Sequence, residues 1–237
     1  QAYYELYPEK QDEKIYLFLD EVQVVEHWEL YVRRIYDTQN IQLFITGSSS
    51  KLLSTEMATS LRGRTLTYEI FPFSFKEYLS YQQIEVNLYS SKSLSYIQNA
   101  LQSYLDFGGF AETISEDNEI KRRILSDYLN LIMFKDVVDR YNVKNRSLLK
   151  HLLKYCFTNM STLVSFTKLF NEYKSQGYKI SKDTLFDYFS YLDDAYALFS
   201  VPIFRNSIKE EQRHPKKIYA VDNGFKKIFD FSLSKDM

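Results

Sequence analysis

Five consecutive apolar or aromatic residues, Ile15 to Leu19, run directly into the acidic pair Asp20-Glu21. An unbroken run of this kind predicts a strand of a parallel sheet, covered on both faces. Trp28, Tyr31, Val32 and Ile35 then recur at helical spacing, which predicts a crossover helix over 27–37. Ile41-Gln42-Leu43-Phe44-Ile45 predicts a second buried strand, and Thr46-Gly47-Ser48-Ser49-Ser50 a sharp exit from its C-terminal end. Strand, helix and strand in this order make a βαβ unit. Tyr68 to Phe71 predicts one more strand, closed by Pro72.

From residue 73 onward the pattern turns helical. Ser74 caps Phe75-Lys76-Glu77-Tyr78-Leu79, with Glu77 placed for a capping box. Ser95 to Leu105 predicts another helix, stopped by Gly108-Gly109, and 119–139 one long amphipathic helix. Leu148, Leu149, Leu152, Leu153, Tyr155 and Cys156 mark a buried helix, and Leu163, Phe166, Leu169, Phe170 and Tyr173 a second. Ser181 caps a third over 181–194, carrying Leu185, Tyr188, Phe189 and Leu192. A strand over 197–204 follows, and another over 217–225 that turns at Asn223-Gly224. Three short helices followed by a strand pair predict a winged helix-turn-helix. The fold class is therefore α/β followed by mainly α.

Composition narrows the picture. With 45% hydrophobic residues, the 237-residue chain can build a real core in one large or two ordinary domains. Thirty basic residues against 31 acidic ones leave a formal charge of -1, so any nucleic-acid surface is a local patch. The single Cys156 forms no internal disulfide and reads as a buried structural thiol. Three widely spaced histidines beside it give no zinc signature. No apolar run is long enough for a membrane helix and no secretory segment is present, so a cytoplasmic location is expected. The start at Gln1 and the end at Met237 both read as truncations of a larger protein.

The chemistry concentrates at two strand ends. A strand running into Asp-Glu reads as a Walker B strand, in which Asp20 reaches magnesium and Glu21 polarises a water. Thr46-Gly47-Ser48 lies at the end of the second strand, and open α/β sheets bind ligands at such ends. Taken alone, the acidic pair also suits an ordinary helix N-terminus. The partner motif G-x-x-x-x-G-K-[ST] occurs nowhere, and no glycine precedes Ile15.

The segments Phe18-Leu19-Asp20-Glu21-Val22-Gln23, Leu43 to Leu53, Leu61-Arg62-Gly63-Arg64 and Ile70 to Tyr78 occur in one order over roughly sixty residues. Together they resemble a prokaryotic AAA+-like P-loop ATPase family with a C-terminal helical and winged-helix region of the DUF4143 type. The resemblance implies a partial AAA+-like parallel sheet over 1–80, a helical region over 81–140, a winged helix over 141–215 and the start of a truncated nuclease-like region over 216–237. It implies ATP and Mg2+ as ligands of the parent protein, with neither bound to this fragment. Asp20 would help hold magnesium and Glu21 would orient or deprotonate the attacking water. Ser48, with Thr46 or Ser49, would be the sensor-like polar group. Arg64, with Arg62 as the alternative, would be a finger or sensor facing phosphate, and a trans-acting finger implies a homo-oligomer. The Gly108-Gly109-Phe110-Ala111-Glu112 turn matches a Gly-Gly-Phe-Pro-Glu-like segment of the family, with alanine where proline is usual.

Two function classes follow. In the first, the parent protein is an ATP hydrolase coupled to DNA or another macromolecule, and this fragment is inactive alone. In the second, the chain is a non-catalytic winged-helix module that binds double-stranded DNA or protein. The DNA contacts of such a module would come from Lys179, Ser181, Lys182 and Thr184 at the start of the third helix, and from Arg205 and Arg213 in the wing.

Overall fold

The computed structural model describes residues 2–10, 13–22, 25–47, 65–204 and 214–232. They fall in two compact units, Gln1–Glu69 and Ile70–Met237.

In the first unit a short helix α1 (Ala2–Leu6) and a 3-10 turn (Pro8–Lys10) precede strand β1 (Ile15–Leu19). Helix α2 (Trp28–Thr38) crosses over to strand β2 (Ile41–Ile45). The strands pair in parallel, Ile15 opposite Ile41 through Leu19 opposite Ile45. Trp28 and Val32, one helical turn apart, are buried on α2 and pack with Val22 against Leu19, Leu43 and Ile45. The βαβ unit is therefore present where the apolar pattern put it.

Two-face burial of these strands is not observed. Burial alternates along both: Ile15, Leu17, Leu19, Ile41, Leu43 and Ile45 are half-buried, while Tyr16, Phe18 and Phe44 are exposed. Phe18 and Phe44 stack on the open face with ring centroids 4.8 Å apart. The strand expected at Tyr68 to Phe71 does not form either. Leu66, Tyr68 and Ile70 are exposed in irregular chain, where no described strand lies alongside to take their backbone hydrogen bonds.

The second unit begins with α3 (Phe75–Tyr81), α4 (Ser91–Phe107) and a single turn α5 (Ala111–Ile114). The expected capping box is present: the Ser74 hydroxyl accepts the Glu77 amide while the Glu77 carboxylate accepts the Ser74 amide at 2.8 Å. Helix α6 (Asn118–Leu131), capped by Asp117, runs straight into a π-helical stretch, Ile132–Asp139, with Met133, Val137 and Val138 buried. The long helix expected over 119–139 thus changes its winding over its last third.

Helix α7 (Arg146–Thr158), strand β3 (Leu163–Val164), helices α8 (Phe166–Ser175) and α9 (Lys182–Asp194), strands β4 (Leu198–Pro202) and β5 (Lys216–Ala220), and helix α10 (Gly224–Ser232) complete the unit. β5 lies between β3 and β4, antiparallel to both, with Leu163 opposite Lys217 and Leu198 opposite Ala220. One apolar core runs from Phe107 and Leu125 through Leu148, Leu152, Leu185 and Ile218 to Phe225 and Phe229. Cys156 sits inside it, and burial pushes its thiol well above the ordinary range, as expected of a structural thiol.

Candidate functional site

The parallel register sets Leu19 beside Ile45, so the residues that leave the two strands, Asp20 and Thr46, emerge side by side. The backbone continues the ladder for one step: the Thr46 amide donates to the Leu19 carbonyl at 2.9 Å and the Val22 amide to the Thr46 carbonyl at 3.4 Å. The Thr46 hydroxyl donates to the Asp20 carboxylate and accepts the Glu21 amide at 3.3 Å. One side chain thereby fixes the carboxylate of Asp20 and the backbone of Glu21.

Glu21 itself has φ of 50°, the left-handed region that L residues seldom occupy. Its amide bond to Thr46 and the burial of the next residue, Val22, hold it there. The result is an outward kink immediately after β1, which leaves Asp20, Glu21 and Thr46 exposed at the C-terminal end of the parallel pair.

The donor set is one carboxylate, a hydroxyl and a neighbouring carboxylate. Among the described residues no group of three His, Cys, Asp or Glu side chains forms a metal cage. That chemistry fits a magnesium ion, which binds through one or two carboxylates plus substrate phosphates and keeps several waters. Of the other candidates at this end, Ser48, Ser49, Arg62 and Arg64 lie outside the described residues.

In the second unit four candidates, Lys179, Ser181, Lys182 and Thr184, lie together at the start of α9. Ser181 is the N-cap of α9: its hydroxyl accepts the Thr184 amide at 3.0 Å and lies 2.8 Å from the Thr184 hydroxyl. Lys182 places its ammonium 5.9 Å from the centre of the Phe186 ring. Lys179 is exposed just ahead of the cap, and Arg205 and Arg213 lie outside the described residues.

A polar constellation invisible in the sequence lies elsewhere in this unit. The Asp222 carboxylate is buried and accepts the Gly109 amide at 2.7 Å and the Gly224 amide at 2.8 Å. Burial pushes its pKa up to about 6 against the opposing pull of those two amides. Asn223-Gly224 therefore does not turn a strand back on itself; it opens α10, with Asp222 holding the Gly224 amide. The Gly109 carbonyl also accepts the Phe73 amide at 2.8 Å, and the Tyr104 hydroxyl donates to the Phe73 carbonyl at 2.8 Å. This is a structural junction: the carboxylate is buried and tied to two backbone amides, and among the described residues no cluster of metal-ligating side chains includes it.

Comparison with known proteins finds two family models on separate parts of the chain. Residues 1–79 match the AAA domain family (AAA_14), and residues 98–229 match a domain of unknown function, DUF8612. The second match covers more than half of the chain, and the protein belongs to the DUF8612 family. Among its relatives, the uncharacterized protein MJ1544 of Methanocaldococcus jannaschii is 39% identical over 92% of this chain and 48% of its own length. An uncharacterized protein of Haemophilus influenzae is 32% identical over 91% of the chain and 52% of its own length. A second Methanocaldococcus jannaschii protein, MJ1637, is 26% identical over 86% of the chain and 46% of its own length. The chain thus spans about half the length of the curated relatives it matches. Among the described residues no helix is long and apolar enough to cross a membrane.

Proposed function

We propose that this chain carries the hydrolytic half of a magnesium-dependent ATPase site of the AAA type. The carrying observation is the Asp20–Thr46–Glu21 arrangement at the C-terminal ends of two parallel strands, within the segment that matches the AAA domain family. Asp20 orients the hydration shell of a magnesium ion, and Glu21 orients and deprotonates the attacking water. A magnesium ion held there would neutralise the charge that develops on the phosphoryl oxygens. Thr46 is a positioning residue that keeps Asp20 turned toward the strand ends. Ser48, or Ser49, would serve as the sensor-like polar group toward the terminal phosphate. Arg64, or Arg62 in its place, stabilises the charge of the transition state, from the same subunit or a neighbouring copy. These 237 residues hold no G-x-x-x-x-G-K-[ST] phosphate-binding loop, so the proposal is for the hydrolytic half of the site only.

The second unit supports a winged-helix reading. Its order, helix–strand–helix–helix–strand–strand, with the last strand between the other two, is that of a helix-turn-helix backed by a three-stranded sheet. On this reading the module couples nucleotide hydrolysis to DNA or to another macromolecule, or acts without catalysis as a binding module. Magnesium-dependent ATP turnover by a full-length protein containing this chain tests the main proposal. Turnover that needs magnesium and is lost with the Asp20 carboxylate supports it. Turnover indifferent to Asp20→Asn removes it.

A further inference from the structure

We propose that the outward face of α7 docks double-stranded nucleic acid through its phosphates, with Arg146, Lys150 and Lys154 as the principal contacts. The inference stands apart from the ATPase reading and places the contact on a different helix from the start of α9.

The inward face of α7 is committed to the core: Leu148, Leu149, Leu152, Leu153, Cys156 and Phe157 are all fully buried. Arg146 and Lys150, both exposed, and half-buried Lys154 recur at four-residue steps along one flank of the helix, about 6 Å apart along its axis. His151 beside them sets its ring against the edge of Tyr178, with centroids 5.6 Å apart. That contact extends the face to exposed Lys179, ahead of the α9 cap.

The charge is one-signed. Residues 141–171 contain Lys144, Arg146, Lys150, Lys154 and Lys168 and not one Asp or Glu, in a chain whose 30 basic and 31 acidic residues otherwise balance. In sequence the run is bounded by Asp139 on one side and Glu172 on the other. Among the described residues none of Lys144, Arg146, Lys150 or Lys154 lies within ion-pair distance of a carboxylate, whereas Arg33, Arg140 and Lys227 all do.

Two observations select duplex nucleic acid over a protein or a membrane. Among the described residues α7 exposes no large hydrophobic side chain. A protein interface needs buried apolar or aromatic anchors, and a membrane-surface helix needs an apolar face; a phosphate backbone needs neither. At the start of α9, moreover, Ser181 and Thr184 are bonded to each other and to the helix backbone. Binding should therefore rest on phosphate contacts and depend little on sequence.

The test uses the whole chain with a fluorescein-labelled duplex of about 20 base pairs, followed by anisotropy from about 50 to 200 mM salt. The variant Arg146→Gln/Lys150→Gln/Lys154→Gln is compared with a control that loses three exposed lysines elsewhere, Lys14→Gln/Lys76→Gln/Lys92→Gln. Gln is a good helix former, and far-UV circular dichroism with single Lys150→Gln guards against a folding defect. The expected result is at least a tenfold loss of affinity for the α7 variant and a salt slope shallower by about 2 to 3, with the control near wild type. Equal affinities of the two variants, no duplex binding by the unaltered chain, or equally tight binding of polyglutamate would each overturn the proposal.

Discussion

The Gly109 amide donates to the Asp222 carboxylate at 2.7 Å, joining positions 113 residues apart. The bond ties the end of α4 to the start of α10, and the same glycine is hydrogen-bonded to Phe73 ahead of α3. A Cβ at Gly109 would fall on the Phe73 carbonyl, and one at Gly108, where φ is 76°, on the Asp222 carboxylate. Three chain segments therefore meet where only backbone fits. Gly109→Ala is expected to lower stability by about 1–3 kcal/mol, since backbone rather than a flexible side chain must yield. Thermal or urea unfolding of the whole chain checks this; a change below about 0.5 kcal/mol, the range of ordinary surface substitutions, would contradict it.

The buried carboxylate also gives the fold an unusual pH response. Below the ordinary aspartate value of 3.8 the folded and unfolded chains both hold the Asp222 proton. Between there and about 6 only the folded chain retains it, so this group's stabilisation declines as pH rises through that window. The whole effect is at most roughly 3 kcal/mol. Asp222→Asn removes the titration and leaves one glycine amide facing an NH2 group. The stability gap between the unaltered chain and Asp222→Asn is expected to widen as pH falls from about 7 to about 4. A gap that narrows over that range would refute the assignment.

Glu77 runs the other way. Hydrogen bonds from the Ser74 amide and hydroxyl hold its carboxyl below the ordinary value, so its contribution is present above that value and fades in acid. Ser74→Ala is expected to cost about 1 kcal/mol at neutral pH through loss of the N-cap. The cost should shrink as pH falls below the ordinary carboxyl value of 4.5, because protonation of Glu77 weakens the hydroxyl–carboxylate bond that Ser74→Ala removes. Melting curves at two pH values decide it.

Much of this was legible because the signals were local. Leu19, Trp28, Val32 and Leu43 announce a βαβ unit by spacing alone, and Ser74 with Glu77 announces the start of α3. The run Ile15–Leu19, however, cannot say whether one face or two will be covered, and the alternating burial of Tyr16 and Phe18 became visible only with the strands paired. Asn223-Gly224 resembles a turn until Asp222 is seen holding the Gly224 amide. The Asp222–Gly109 bond has no local signature. At the candidate site, Asp20 and Glu21 stood out by position. The bond between Asp20 and Thr46 depends on the register of Leu19 opposite Ile45, which no single strand encodes.

That bond has a kinetic consequence. In a full-length protein containing this chain, Thr46→Val should lower the turnover of ATP about 10- to 100-fold, the usual effect of losing a group that orients a metal-site ligand. Thr46→Ser, which keeps the hydroxyl, should restore most of it. Loss in both variants alike would point to a packing role for Thr46 instead.

The central claim is that Glu21, kinked out after β1, handles the attacking water. It is tested most directly by steady-state ATP hydrolysis and nucleotide affinity measured together on the full-length protein and its Glu21→Gln variant. ATP affinity within about threefold and turnover lower by 100-fold or more are expected, the range for loss of a general base. Turnover within twofold of the unaltered protein, with ATP still bound, would contradict it.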